Sequence, residues 1–281
     1  GSEMCIRDSL YSMVAHLSPG SVEVSVGQLV RSGDALGRCG LSGRAAVPHI
    51  HFQLQRTSRV GDATMPSELH EIVVSGEDED LLHATLVPQE GQLLRGIQRD
   101  DEVVRRFAFP YREPMTFRIE EDGRSRQETV VGDIDSQGNL VLRSLTQRAQ
   151  LYYDLHDDLF VVHDTIGARA SVLHLVHAAL PRVPFELSPR IVWTDHLPRR
   201  SFISGAARPI LDLFSPFHSA DGPVMRYRAN WSGGRLEIEG RSESSRGREI
   251  ATVASFSSAR GLERIEIEVG SRTTIAVREG E

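Results

Sequence analysis

The chain contains no lysine and only two cysteines in 281 residues. All 32 basic side chains are therefore arginines, which indicates a GC-rich, bacterial genome because arginine codons are rich in G and C. The net charge is −7 and no arginine-rich block stands out, so nucleic acid is not expected as a partner. Cys5 and Cys39 cannot make a disulfide framework, and no apolar run is long enough to predict a transmembrane helix.

The most informative segment is residues 48–52, which read Pro-His-Ile-His-Phe. His49 and His51 are two residues apart, so on a β-strand their side chains share one face. Such a pair can place one imidazole on a metal ion and the other beside the metal-bound water. The spacing alone is more typical of two histidines on an exposed strand face, and the preceding sequence reverses that weighting.

Three further motifs precede the histidine pair in a fixed order. Residues 11–17 read Tyr-Ser-Met-Val-Ala-His-Leu, which predicts a strand followed by His16. In residues 26–37, apolar residues alternate with glycine-bearing turns, which predicts a tight hairpin. Residues 40–43 read Gly-Leu-Ser-Gly, a turn-rich loop.

Taken together, residues 11–55 resemble the lysostaphin-like (LytM-type) zinc metalloendopeptidases, which cut peptide cross-links in peptidoglycan. The resemblance implies that His51 is a ligand of one zinc ion. It implies that His49 positions or deprotonates the attacking water, and that His16 stabilises the oxyanion or moves a proton. It also implies a peptidoglycan peptide as substrate and a periplasmic, extracellular or cell-envelope location.

The resemblance leaves the zinc site incomplete. The family takes its other two ligands from an upstream His-x-x-x-Asp motif, and no histidine of this sequence has an aspartate four residues on. Residues 3–9, Glu-Met-Cys-Ile-Arg-Asp-Ser, look like the translation of a transposase mosaic-end adaptor, so residues 1–9 are expected to be a non-native leader. We therefore expect an inactive C-terminal fragment of a peptidase.

Two alternatives from other classes stay open at this point. One is a catalytically dead relative that binds cell wall or regulates another hydrolase. The other is a lipoyl-like or sugar-phosphotransferase carrier domain, because residues 26–37 are similar to hairpins of those domains. A lipoyl domain needs a lysine to modify and this chain has none, whereas a phosphocarrier histidine remains compatible with the sequence.

The predicted fold class is mainly β: a truncated antiparallel peptidase-like sheet in residues 10–75, an acidic linker in 76–100, and a β-rich (α+β) accessory domain in 101–281 that allows two subdomains. Ten segments of the last region alternate like strands. They are residues 115–120, 128–134, 140–142, 149–154, 160–163, 224–231, 236–240, 249–256, 262–269 and 273–278. Helices are predicted at 168–180 and 206–214, with His174 and His177 as packing residues. A wall-binding, partner-binding or architectural role is expected for this domain.

Overall fold

The structure, a computed structural model, describes residues 10–31, 33–198, 221–243 and 249–280. It divides into two compact units, residues 1–69 and 70–281, called unit 1 and unit 2 below. In the described residues, 18 strands and two short helices confirm the predicted mainly β fold. Neither helix is long and apolar enough to cross a membrane.

Unit 1 contains a three-stranded antiparallel sheet in the order β1-β2-β3. Its strands are β1 (Tyr11–Ala15), β2 (His51–Gln55) and β3 (Thr64–Met65). The register places Ala15 opposite His51 at one end and Tyr11 opposite Gln55 at the other. The β1–β2 pairing therefore brings the residue after β1 close to the start of β2.

The predicted hairpin at residues 26–37 is present as turns only, because none of its described residues forms a strand. Two glycines with positive φ, Gly27 and Gly33, lie in successive local turns, and each turn is closed by a bond between its own residues. One bond, from the Glu23 N–H to the Leu36 carbonyl oxygen, spans the segment at 3.1 Å. Hydrogen bonds within the two glycine turns are thus present in this segment in place of the regular strand pairing of a β-hairpin.

Unit 2 is built on a single 15-stranded sheet. Its strands are β4 (Leu69–Ser75), β5 (Asp80–Leu86), β6 (Leu93–Arg95), β7 (Pro114–Glu121), β8 (Arg124–Ile134), β9 (Leu140–Ser144), β10 (Ala149–Leu155), β11 (Leu159–Gly167), β12 (Arg182–Pro184), β13 (Ile191–Pro198), β14 (Asp221–Ser232), β15 (Arg235–Ser242), β16 (Ile250–Ser257), β17 (Gly261–Val269) and β18 (Arg272–Arg278). The strand order is β12-β11-β10-β9-β8-β7-β18-β17-β16-β15-β14-β13-β5-β4-β6, and β13 pairs with β5 in parallel.

The helices are α1 (Asp101–Arg106) and α2 (Val172–Ala179). Helix α2 packs against β10 and β11 from one part of the sheet and against β15, β16 and β17 from another, so the sheet curves around it. The buried Glu128 carboxylate accepts hydrogen bonds from the Ser171 hydroxyl and from the Val172 N–H at 2.8 Å, which stabilises the first turn of α2.

Two ion-pair clusters join the ends of this curved sheet. Arg182 of the edge strand β12 lies 3.3 Å from the Glu71 carboxylate of β4 and 3.2 Å from the Asp195 carboxylate of β13. Arg95 of the opposite edge strand β6 lies 2.8 Å from Asp80 and 2.8 Å from Glu186, a residue that follows β12. The two edges of the sheet are therefore held near each other.

All ten strand segments predicted beyond residue 101 form strands, and the first predicted helix is present as the shorter α2. The predicted helix at 206–214 lies outside the described residues. The segment 76–100, predicted as an acidic linker, instead contains β5 and β6, and its acidic run begins in the turn between β4 and β5. Its last member, Asp80, is buried rather than solvated because Arg95 pairs with it.

Candidate functional site

His16 directly follows β1 and has a left-handed backbone conformation, with φ of 65°. Histidine is one of the few residue types besides glycine that are enriched there. The His16 ring is half-buried, and its Nδ1 atom lies 2.6 Å from the carbonyl oxygen of Ser42. The loop predicted at residues 40–43 thus orients the imidazole.

His49 and His51 lie at the start of the second strand. His49 pairs with Gly40 in an isolated bridge, and its Nδ1 atom lies 2.7 Å from the Val47 carbonyl oxygen. A carbonyl oxygen can only accept, so in the neutral rings of His16 and His49 the proton resides on Nδ1. The Nε2 atom of each ring then carries the free lone pair.

The structure brings all three predicted site residues together. The ring centroids of His16 and His49 are 4.7 Å apart, and those of His16 and His51 are 6.1 Å apart. His49 and His51 are exposed, so their rings are accessible from solution. The arrangement offers two Nε2 bases next to a third imidazole, while the catalytic and ligand roles themselves stay predictions.

Two glycines keep the loop close to His16. A Cβ atom on Gly40 would lie 2.5 Å from the Ser18 backbone nitrogen, which is too close for any other residue type. Gly43 has φ of 75°, and a Cβ there would contact the His16 ring at 3.6 Å. Glycine is therefore required at Gly40 for the close approach, and favoured at Gly43 for its backbone conformation.

Gln53 and Gln55 are site neighbours that the sequence interpretation missed. They are 8% and 2% exposed, and the alternation of β2 puts them on the same face as His51. The Gln53 amide donates to the Gln55 side-chain oxygen at 2.8 Å, and the Gln55 amide donates to the Thr57 and Arg59 carbonyl oxygens. The period-two spacing from His51 was the signal that could have identified them.

The described residues do not complete a zinc site. A catalytic zinc ion takes about three protein ligands and keeps one open position. Within residues 10–31, 33–198, 221–243 and 249–280, no group of three or more His, Cys, Asp or Glu side chains is arranged to hold a metal ion. His51 is thus a single predicted ligand, and the residues present do not fit a resident zinc ion.

The histidines of α2 belong to unit 2. His174 and His177 are both buried, and the Nδ1 atom of His177 lies 3.0 Å from the Thr165 hydroxyl. Burial lowers the pKa of both rings, that of His177 to about 4. These are properties of neutral packing side chains.

Residues 4–63 match the family model of peptidase family M23, which is less than a quarter of the chain. No curated protein and no solved structure matches the chain. The match confirms the resemblance of this segment to LytM-type peptidases, and it supports a peptidoglycan-related metallopeptidase family for unit 1 alone.

Proposed function

We propose that unit 1 is the histidine-bearing part of a zinc-dependent peptidoglycan endopeptidase of the cell envelope. In this proposal His51 is a metal ligand, and His16 and His49 act on the attacking water and on the developing oxyanion. The observation that carries the proposal is the convergence of the three rings, with Nδ1 of His16 and of His49 each bonded to a backbone carbonyl.

The chemistry that these residues can perform is proton transfer. The free Nε2 atom of a neutral imidazole accepts a proton, which makes the ring a suitable general base. The carbonyl contacts of Ser42 and Val47 fix the tautomers of His16 and His49, so neither ring needs to reorient before it accepts a proton. The exposed His49 ring is accessible to an extended peptide on the face of β2, whereas the His16 ring is half-buried.

The same proposal states that this chain, as it stands, does not hydrolyse peptidoglycan. One predicted ligand in place of about three cannot hold zinc tightly, because each lost ligand weakens the site. The test is metal analysis after zinc loading and dialysis, combined with mass spectrometry of cross-linked peptidoglycan after incubation. We expect no stoichiometric zinc and no new amino termini. Retained zinc together with cleavage would contradict the statement of inactivity.

The catalytic assignment has its own test. Fusing a His-x-x-x-Asp-bearing half of a related peptidase before Leu10 should produce chelator-sensitive cleavage. In that fusion His51→Ala should abolish zinc retention, whereas His16→Ala and His49→Ala should keep zinc and lose about 10²-fold or more in rate. His163→Ala, at an exposed position of strand β11 in unit 2, is the matched control and should cleave at the parent rate. A His49→Ala fusion as fast as the parent would refute the roles.

A second candidate is a protein that binds cell wall or regulates another hydrolase without cleaving. It is favoured by unit 2, which holds its own core and lies entirely beyond the matched segment. Sedimentation with insoluble peptidoglycan separates the two: retention of residues 70–281 alone, without cleavage by the full chain, supports this candidate. If residues 70–281 remain in the supernatant, they do not bind peptidoglycan, and the second candidate function loses its support.

A further inference from the structure

One cavity of unit 2 has an unusual lining. The end of β9, the turn after it, the start of β10 and the end of β11 line an open surface cavity of about 570 Å³. Two arginines, Arg143 and Arg148, line it together with hydroxyl and amide side chains, Ala149 and two large apolar side chains. These are Leu145, which is 61% exposed, and Ile166, which is 46% exposed. The volume falls within the range of about 300–1,000 Å³ that small-molecule sites occupy.

The positive charge of this cavity is only partly compensated by the chain. The nearest carboxylate to Arg143 is that of Asp133, 3.6 Å from its terminal nitrogen. The Nε–H of Arg143 is buried and has no hydrogen-bond partner among the described residues. Arg148 is exposed and forms no ion pair within the same part of the chain. The cavity therefore offers an anionic ligand the exposed guanidinium group of Arg148, with Arg143 in the same lining, whereas the buried Nε–H of Arg143 is out of a ligand's reach.

A second arginine-lined cavity provides a contrast. It has a volume of about 250 Å³ and is lined by Arg226, Arg228, Arg241 and Glu239. Glu79 accepts hydrogen bonds from both Arg226 and Arg228, so a carboxylate of the chain itself already occupies those donors. No equivalent carboxylate bonds to Arg148 in the described residues. The larger cavity thus differs in having no carboxylate in its lining, whereas Arg241 of the smaller cavity, which also forms no ion pair among the described residues, shares that cavity with Glu239.

The backbone that carries Arg148 is held in place. Its carbonyl oxygen accepts a hydrogen bond from the Ala168 N–H at 2.8 Å. Gly167 has φ of 99°, and a Cβ atom there would lie 1.8 Å from that carbonyl oxygen, so only glycine permits the contact. The turn is therefore fixed against the end of β11, and the cavity is formed before any ligand arrives.

We propose that this cavity binds a small ligand that carries a carboxylate beside an apolar group. The planar guanidinium groups of Arg143 and Arg148 suit a carboxylate, because their N–H donors match its two oxygens. Leu145 and Ile166 provide apolar contact for the remainder of the ligand. A wall-derived acid as the natural ligand rests on the proposed function, whereas the requirement for a carboxylate does not.

The experiment follows backbone amide chemical shifts of the full chain during titration with matched probes. N-acetylmuramic acid and N-acetyl-leucine carry the carboxylate, and N-acetylglucosamine and N-acetyl-leucinamide are their neutral counterparts. We expect the acids to shift amides of residues 144–150 and 166–167 and the neutral probes to leave them unchanged. Arg148→Gln should weaken binding about tenfold, the scale of one hydrogen bond to a charged group.

Arg241→Gln is the matched control, because it removes the same charge from the smaller cavity. It should leave acid binding unchanged. Equal weakening by Arg241→Gln and Arg148→Gln would overturn the proposal, since net charge alone would then explain binding. Equal binding of neutral probes, or of inorganic phosphate, would overturn the assigned ligand class. Binding of N-acetyl-leucine without N-acetylmuramic acid supports the site and removes its link to the wall, and the cleavage assays still decide the proposed function.

Discussion

Among the described residues, the only buried side chains of unit 1 are those of Gln53 and Gln55, and every buried apolar side chain lies at Val73 or beyond. Unit 1 leaves many large apolar residues exposed, among them Val26, Leu29 and Phe52. Unit 2 encloses an aromatic and aliphatic core around α2. The unit that carries the family match and the candidate site is thus the one with little hydrophobic stabilisation of its own.

The two units are therefore stabilised by different interactions. In unit 1, glycine turns and side-chain hydrogen bonds to the backbone hold the histidines in place, as between His16 and Ser42. In unit 2, burial of side chains such as Trp193 and Phe160 stabilises the sheet directly. A site held by local hydrogen bonds keeps its geometry only while the surrounding chain stays ordered.

The largest effect on cooperative unfolding is expected from cutting the chain between the two units. Residues 70–281 should unfold cooperatively at the temperature of the full chain, because their core contains no residue of unit 1. Residues 1–69 should show no cooperative transition, since they bury almost no apolar surface. Calorimetry of both fragments measures this. A sharp melt of the shorter fragment would contradict it.

The next largest loss of stability is expected at the ion-pair cluster of Arg95, Asp80 and Glu186, which joins the ends of the sheet. Arg95→Leu should destabilise unit 2 by about 3–5 kcal/mol, because it removes the only cation paired with the buried Glu186 carboxylate in the described residues and leaves Asp80 with the more distant Arg190 alone. Urea unfolding gives the value. Arg105→Leu is the control: its pair with Glu102 is exposed, and its loss should cost about 0–1 kcal/mol. Equal losses would mean that burial does not matter at this cluster.

Acid should act on unit 2 through His177. Burial lowers its pKa to about 4, so between about pH 6.5 and 4 the unfolded chain binds more protons than the folded one, and stability falls as the pH falls through that window. The full contribution is about 3 kcal/mol and changes little below pH 4. His177→Gln, which can still bond to Thr165, should flatten the pH dependence. His163→Gln, at an exposed position, should not.

Strands with alternating polar and apolar residues were predictable from sequence. Burial of one face of a strand requires an apolar residue at every second position, as in residues 264–269. The convergence of His16 with His49 was predictable only through the family resemblance, because 33 positions separate them in the numbering and no local pattern joins them. Asp80 looked like part of a solvated run because its partner Arg95 lies in another strand. The parallel pairing of β5 with β13 depends likewise on contacts distant in sequence.

The smallest effect is expected where unit 1 exposes apolar side chains. Leu29 is 85% exposed, so Leu29→Ala removes almost no buried surface and should change the free energy of unfolding by less than about 0.5 kcal/mol. Leu151, fully buried in β10, is the matched control, and Leu151→Ala should cost about 2–5 kcal/mol because it leaves a cavity. Denaturant unfolding of both variants compares the same chemical change in the two units. A decrease in the free energy of unfolding above about 1 kcal/mol for Leu29→Ala would mean that the Leu29 side chain is buried in solution. Hydrophobic burial would then no longer distinguish the two units, and the remaining difference would be that unit 1 buries the hydrogen-bonded side chains of Gln53 and Gln55.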